Sequence, residues 1–225
     1  MRDKFGLIID CFAGGGGASV GIEMALGRKV DIAINHDPEA IRMHTVNHPS
    51  TIHLTEDIFK VDLTKYVGDK PVALMWASPD CTSYSIAAIS HHRERERDGN
   101  LAPVSDYAKF CDKVNQHVLC LILALSPKYW FIENPRGGLR KMNFMNGLPR
   151  YTVTYCQYGD KRMKPTDIWT NHPDPQFKPP CHNGDPCHES APRGSRTGTQ
   201  GLTNSKERSI IPQQLCEHIV TICEQ

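Results

Sequence analysis

The chain has 225 residues, 39% of them hydrophobic, with 26 Lys and Arg against 25 Asp and Glu. That length builds one core-forming domain that stands without disulfide staples, and the near-neutral balance leaves any polyanion partner to be read from local charge. The opening "MRDKFGLIIDCFAGG" has no apolar signal-peptide core and no segment reaches the roughly 20 apolar residues of a bilayer span, so the chain is expected to be soluble and cytoplasmic, with no membrane partner.

"KFGLIID" (4–10) predicts a short buried strand, followed by the glycine run 14–17 and a helix over "ASVGIEMALGR". "KVDIAINHD" predicts a second strand, "PEAIRMHTVNH" a helix opened by proline, "STIHLTEDI" a third strand and turn, and "PVALMW" a fourth strand. This alternation predicts an α/β fold with a doubly wound, mostly parallel sheet. "HHRERERDGN" (91–100) reads as a charged mobile loop, and "VSDYAKFCDKVNQHVLCLILALS" as a long amphipathic helix. "PKYWFIENP" (127–135) is a fifth strand with a carboxylate at its end, and "RYTVTYCQYG" and "PTDIWTN" are a hairpin or two neighbouring strands.

From His172 to about Thr203 the composition turns to Pro, Gly, His, Ser and Cys without apolar periodicity, which predicts a small irregular lobe. A last helix over 209–224 returns to the core. The expected division is residues 1–171 with 206–225 as the main domain and 172–205 as the lobe. Nine cysteines, mostly inside apolar runs, suit reduced thiols better than a disulfide framework, and Cys11 and Cys156 read as core or strand thiols.

Glycines between a strand and a helix let backbone N–H groups approach a ligand, although many such runs are only turns. Three features favour S-adenosylmethionine over a dinucleotide: the tight spacing of the run, Asp10 and Phe12 beside it, and Asp57 after the third strand. The same placement brings "SPDCTSYS" and "IENPRGG" to one edge of the sheet, where Cys81 and Glu133 converge. A thiolate added to carbon 6 of cytosine makes carbon 5 nucleophilic, and a protonated carboxyl at N3 receives the arriving charge. The competing readings are a half-buried structural cysteine, and a dinucleotide oxidoreductase that leaves Cys81 and Glu133 unexplained.

"DCFAGGGGASVGIEMA", "NHDPEAIRMHTVNHP", "EDI", "SPDCTSYS", "PKYWFIENP" and "SIIPQQLCEHI" occur in an order and at spacings that resemble the DNA cytosine-5 methyltransferase family, compact phage-like members above all. The resemblance implies a Rossmann-like, S-adenosylmethionine-dependent fold with a small target-recognition lobe. It implies a donor pocket from Phe12, Gly14, Gly16, Gly17, Asp57 and Pro79, with Cys81 as nucleophile, Glu133 on the cytosine edge and Asn134 positioning the nucleophile loop. Asp80 and Thr82 depart from the family's proline and glutamine around that cysteine. Asn35 stands where an acid normally binds the donor's ribose, and Ser209 where an asparagine is usual. The family's Gln-x-Arg-x-Arg strand is reduced to Arg162 and Lys164, with Lys164 the candidate for the base or phosphate. The implied reaction is methyl transfer to cytosine in DNA with base flipping, in phage or restriction-modification DNA modification; the same chemistry on RNA and a non-catalytic nucleic-acid binder are the alternatives.

Arg93, Arg95 and Arg97 in the charged loop, and Arg193 and Arg196 in "APRGSRTGTQG", are candidate phosphate contacts for a monomer on DNA. The interval 172–205 is too short for its own core, and "CHNGDPCH" offers Cys181, His182, Cys187 and His188 to a structural zinc ion, against free thiols packed under a loop.

Overall fold

The structure is a computed structural model and describes residues 6–97, 99–190 and 204–224. Strand β1 (Leu7–Cys11) lies inside the sheet and alternates its side chains between two cores, Ile9 and Cys11 facing one and Ile8 the other. Helix α1 (Gly17–Leu26) leads to β2 (Ile32–Ile34), α2 (Pro38–Asn47) to β3 (Ile52–Leu54), and α3 (Leu63–Val67) to β4 (Val72–Ala77). In α2 the Asp37 side chain accepts from the Glu39 N–H and Pro38 occupies the first turn, where its missing donor costs nothing.

After β4 come α4 (Ile89–His92), the strands β5 (Arg93–Arg95) and β6 (Leu101–Pro103), the long helix α5 (Asp106–Leu125) and β7 (Tyr129–Pro135). Strands β8 (Arg150–Thr154) and β9 (Pro165–Thr170) form an antiparallel pair, and α6 (Ser205–Ser209) and α7 (Gln213–Cys223) close the chain. The seven-stranded sheet runs β3-β2-β1-β4-β7-β9-β8, parallel as far as β7 and antiparallel beyond it. This is the Rossmann-like arrangement expected. Its order reverses between β1 and β4, so a crevice opens at the carboxyl ends of those strands.

Helices on both faces make β4 an almost unbroken apolar run, with Leu74 and Trp76 packed under α1 and α7 and Met75 and Ala77 under α5. Helix α7 lies on α1 so closely that a Cβ at Gly21 would stand 2.6 Å from the Gln213 carbonyl oxygen, and only glycine fits there. The closing helix begins at Gln213 rather than 209, because Pro212 cannot extend the ladder and a separate turn, α6, precedes it. No helix among the described residues is long and apolar enough to cross a membrane.

Two expectations for the charged segment fail. Residues 91–100 are not a loose loop; β5 and β6 pair antiparallel across it. Arg93 is not presented to a phosphate, because its side chain is fully buried. Its guanidinium lies 4.2 Å over the Tyr84 ring, donates to Asp112 Oδ1 at 2.6 Å and to the Ser83 carbonyl at 2.9 Å. Tyr84 O–H also donates to Asp112, at 2.7 Å. The pair therefore clamps the chain just after Cys81 onto α5. Removing one partner leaves the other charge buried without compensation. Asp112→Ala is expected to cost about 3 kcal/mol, read as a lower urea midpoint at unchanged slope.

Candidate active site

Cys81 follows β4 through Ser78-Pro79-Asp80 and caps a single 3-10 turn, Thr82–Tyr84. Asp80 Oδ1 accepts from the Thr82 N–H at 2.6 Å, and the Cys81 carbonyl accepts from Tyr84 and Ser85 at 3.0 and 2.8 Å. This side-chain turn supplies locally the stiffness that a proline ring at position 80 would have given. The Tyr84 carbonyl in turn accepts from the Gly138 N–H at 2.7 Å, and a Cβ at Gly137 would lie 2.3 Å from the same oxygen, so the loop after β7 must be glycine to pass.

Strand β7 delivers Glu133 and Asn134 to opposite faces of the sheet. Asn134 is fully buried and its Nδ2 donates to the Pro79 carbonyl at 3.0 Å, tying the end of β7 to the loop that carries Cys81. Glu133 is 5% exposed and accepts from Tyr155 O–H at 2.7 Å. Burial pushes its carboxyl above the usual range, opposed by the Lys164 ammonium. Lys164 lies 4.5 Å over the Tyr155 ring and donates to the Arg208 carbonyl at 2.8 Å, and burial pulls its pKa down while Glu133 and Cys81 hold it up.

The Cys81 thiol is pushed up to about 11, first by burial, then by Glu133 and Asp80, with Lys164 opposing. Thiol, carboxyl and ammonium therefore sense one another across a single site. The arrangement keeps the thiol protonated at rest and makes its ionisation depend on whether Glu133 carries a proton.

Beside this site opens a cavity of about 270 Å³ lined by Phe12, Asn35, Glu56, Asp57 and Ile58 from the strand ends, by Phe110, Cys111 and Val114 from α5, and by Asp80. It thus reaches the loop that carries Cys81. Apolar faces on two sides with carboxylates at the rim suit a nucleoside, and the volume is below the roughly 300–1,000 Å³ of larger ligand clefts.

Several sequence candidates stand elsewhere than expected. Asp10 is 1% exposed and lies behind the glycine turn, where its Oδ2 accepts from Ser19 O–H at 2.7 Å and burial raises its carboxyl to about 7; it braces α1 and does not line the cavity. Asn35 lines the cavity, but its amide is engaged internally, Nδ2 to the Ala13 carbonyl at 3.0 Å and Oδ1 from the Asp37 N–H at 2.9 Å. Glu56, which the sequence reading passed over, is the exposed acid on that wall. Gly14 is exposed with open space around it, Gly17 starts α1, and Gly16 needs its glycine because its φ is +97° and a Cβ would meet His48 Nε2 at 2.5 Å. Pro79 is buried beneath Asn134, and Ser209 is exposed at the end of α6.

Arg162 is a further correction. It is 7% exposed, paired with Asp160, and donates to the Glu207 and Ile210 carbonyls at 2.9 and 3.3 Å, so it fastens the C-terminal segment and is not offered to a phosphate. Arg95 and Arg97 are exposed on the β5–β6 hairpin, and Arg193 and Arg196 lie outside the described residues. His182 is also not with the other candidate ligands: its ring is 92% exposed and faces Asp185 at 3.8 Å, while Cys181, Cys187 and His188 gather around Cys156, a thiol expected only as a core residue.

The fold is Rossmann-like, with its crevice at the carboxyl ends of β1 and β4. Solved structures with the same fold include a prophage-encoded putative DNA modification methyltransferase of E. coli (TM-score 0.55, 21% identity, 72% of this chain and 45% of that one). S. pombe Dnmt2 follows at TM-score 0.52 and 16% identity, over 74% of this chain and 49% of that one, and Entamoeba histolytica EhMeth at 0.53 and 14%, over 74% and 52%. The family model for C-5 cytosine-specific DNA methylases matches residues 7–150, and the chain belongs to that family. A probable DNA (cytosine-5)-methyltransferase of frog virus 3 is 29% identical over 119 residues, 51% of this chain and 53% of that protein. The type II methyltransferase M.DdeI of Desulfomicrobium norvegicum is 31% identical over 137 residues, 59% of this chain and 28% of that protein. The chain thus spans about half the length of the first of these relatives and less of the second.

The coupling of thiol and carboxyl has a measurable sign. Glu133→Gln removes a negative neighbour, lowers the Cys81 pKa and is expected to speed iodoacetamide labelling of Cys81 severalfold at pH 8; Lys164→Met removes a positive one and is expected to slow it. Labelling read by peptide mass spectrometry checks both.

Proposed function

We propose that the protein methylates carbon 5 of cytosine in DNA, with S-adenosylmethionine as donor and Cys81 as nucleophile. The observation that carries this reading is the electrostatic influence of Glu133 and Lys164 on Cys81 at the end of β4, with a cavity of about 270 Å³ reaching the adjacent Asp80.

The cavity residues fit the donor. Phe12, Ile58 and Phe110 offer apolar faces for an adenine ring, Asp57 and Glu56 stand as acceptors at the rim, and the space around Gly14 leaves room for a close backbone approach. When bound, the donor supplies an electrophilic methyl group on its sulfonium. Duplex DNA hides carbon 6 in the stack, so the target base must be flipped to reach Cys81.

The Cys81 thiolate then forms an S–C6 bond, and the displaced electron pair moves toward C5 and N3. Glu133, whose hold on a proton burial strengthens, donates a proton at N3 and takes up that charge. The negative charge of Glu133 raises the thiol, so the two groups work in one order: proton on Glu133, charge on Cys81. Lys164 favours the thiolate and stands over Tyr155, whose O–H keeps Glu133 turned toward the site. After methyl transfer, passage of the C5 proton to water, expulsion of the Cys81 sulfur as thiolate and return of the N3 proton to Glu133 restore the ring. Asn134 holds the nucleophile loop throughout.

Arg95 and Arg97, with the lobe 172–205 that includes Arg193 and Arg196, are the surfaces proposed to grip phosphates. The test is transfer of radiolabelled methyl from S-adenosylmethionine to matched DNA and RNA. DNA is expected to be labelled at cytosine carbon 5, with Cys81→Ser reduced by more than about a thousandfold. Labelling of RNA alone, or full labelling by Cys81→Ser, contradicts the proposal.

A further inference from the structure

We propose that Cys156, Cys181, Cys187 and His188 form a closed, structural zinc site that fastens the irregular excursion after β9 to the catalytic sheet. The inference rests on this cluster alone and does not depend on the methyl-transfer reading.

Zinc in a structural site is tetrahedral, with Zn–S of about 2.3 Å and Zn–N of about 2.0–2.1 Å, which sets ligand sulfurs about 3.8 Å apart and sulfur and nitrogen about 3.5 Å apart. In the cluster, Cys156 Sγ is 3.1 Å from Cys181 Sγ and 3.6 Å from Cys187 Sγ. His188 Nδ1 is 3.7 Å from Cys181 Sγ and 3.6 Å from Cys187 Sγ. All four ligand atoms lie within 4.8 Å of one another. Three of these four edges lie close to those of a zinc tetrahedron, the Cys156–Cys181 edge is shorter, and the remaining two are at most 4.8 Å. Three thiols and an imidazole form a soft donor set that selects zinc over magnesium or calcium, and four protein ligands leave no open position for catalysis.

The surroundings suit thiolates. Gln157 Nε2 points at Cys187 Sγ at 3.5 Å, and the Cys181 N–H donates to Thr154 Oγ1 at 3.0 Å, fixing the ligand's backbone to the end of β8. Residues 171–190 contain neither helix nor strand, and so bury little apolar surface of their own. An ion that crosslinks them to the sheet supplies folding free energy that this segment cannot draw from a core.

The position gives the site a consequence. Cys156 is the residue after Tyr155, whose O–H holds Glu133, and both belong to the 3-10 turn Tyr155–Tyr158. On the other side, Glu189 follows His188 and its N–H donates to the Lys161 carbonyl at 2.8 Å, on the strand approach that carries Lys164. The ion therefore joins the excursion to the two segments that place Glu133 and Lys164.

The experiment is native mass spectrometry of the full chain, purified without chelator and dialysed with zinc and a phosphine reductant. One zinc per chain is expected, with Cys156→Ser and His188→Ala falling below about a tenth of an equivalent. His182→Ala is expected to keep the ion, and His188→Cys to keep it as a four-thiolate site, which separates lost ligation from lost folding. Cobalt substitution is expected to give the intense visible bands of a tetrahedral thiolate site. A wild-type chain that takes up no zinc, a Cys156–Cys181 disulfide formed under the same reducing conditions, or a zinc content unchanged by Cys156→Ser overturns the proposal.

Discussion

A single buried hydrogen bond, from Asn134 Nδ2 to the Pro79 carbonyl, fixes where Cys81 and Glu133 stand. Strands β4 and β7 are parallel neighbours, so their carboxyl ends would lie side by side in any case; the register pairs Ala77 with Ile132. What the sheet does not fix is the course of the chain after β4. The Asn134 amide does, by holding the peptide two residues before Cys81 against the strand whose next residue back is Glu133. Because alternate strand residues face opposite ways, Asn134 grips the loop on one face while Glu133 turns to Tyr155 on the other.

Other contacts reinforce that placement from outside. The buried Arg93–Asp112 pair holds the turn after Cys81 on α5, and the Tyr84 carbonyl is caught by the glycines after β7. Arg162 and Lys164 reach the carbonyls of residues 207–210, so the end of the chain is drawn over the same site. Behind the glycine turn, Ser19 bridges Asp10 and His44 at 2.7 and 3.0 Å, and His48 meets Glu23 at 2.8 Å, giving the turn a polar backing within the protein. The groups proposed for catalysis contribute little rigidity themselves. They are carried by a frame of buried polar contacts.

That frame was the least legible part of the sequence. Strands β1, β4 and β7 were readable because burial on both faces makes each an apolar run, and Cys81, Glu133 and Asn134 because they follow such runs directly. The β5–β6 hairpin was not, since alternating Arg and Glu reads as solvated charge until Tyr84 and Asp112, far along the chain, are seen to bury one arginine. His44 and His48 were missed for the same reason: four residues apart on a short helix, they carry no mark of the glycine turn they support. Cys156 sat in an apolar strand end and read as core, because its partners lie some 25 residues later in a segment without periodicity. Asn35 lines the cavity, but its position in the sequence did not reveal that its amide is spent on Ala13 and Asp37.

The central claim is that Cys81 bonds to carbon 6 of cytosine, and a mechanism-based trap tests it most directly. With DNA carrying 5-fluorocytosine, fluorine replaces the proton that must leave carbon 5, and the account requires a stable covalent complex in the presence of the methyl donor, mapped by mass spectrometry to Cys81. Absence of any complex under conditions where the protein binds that DNA, or a crosslink at a different cysteine, contradicts it.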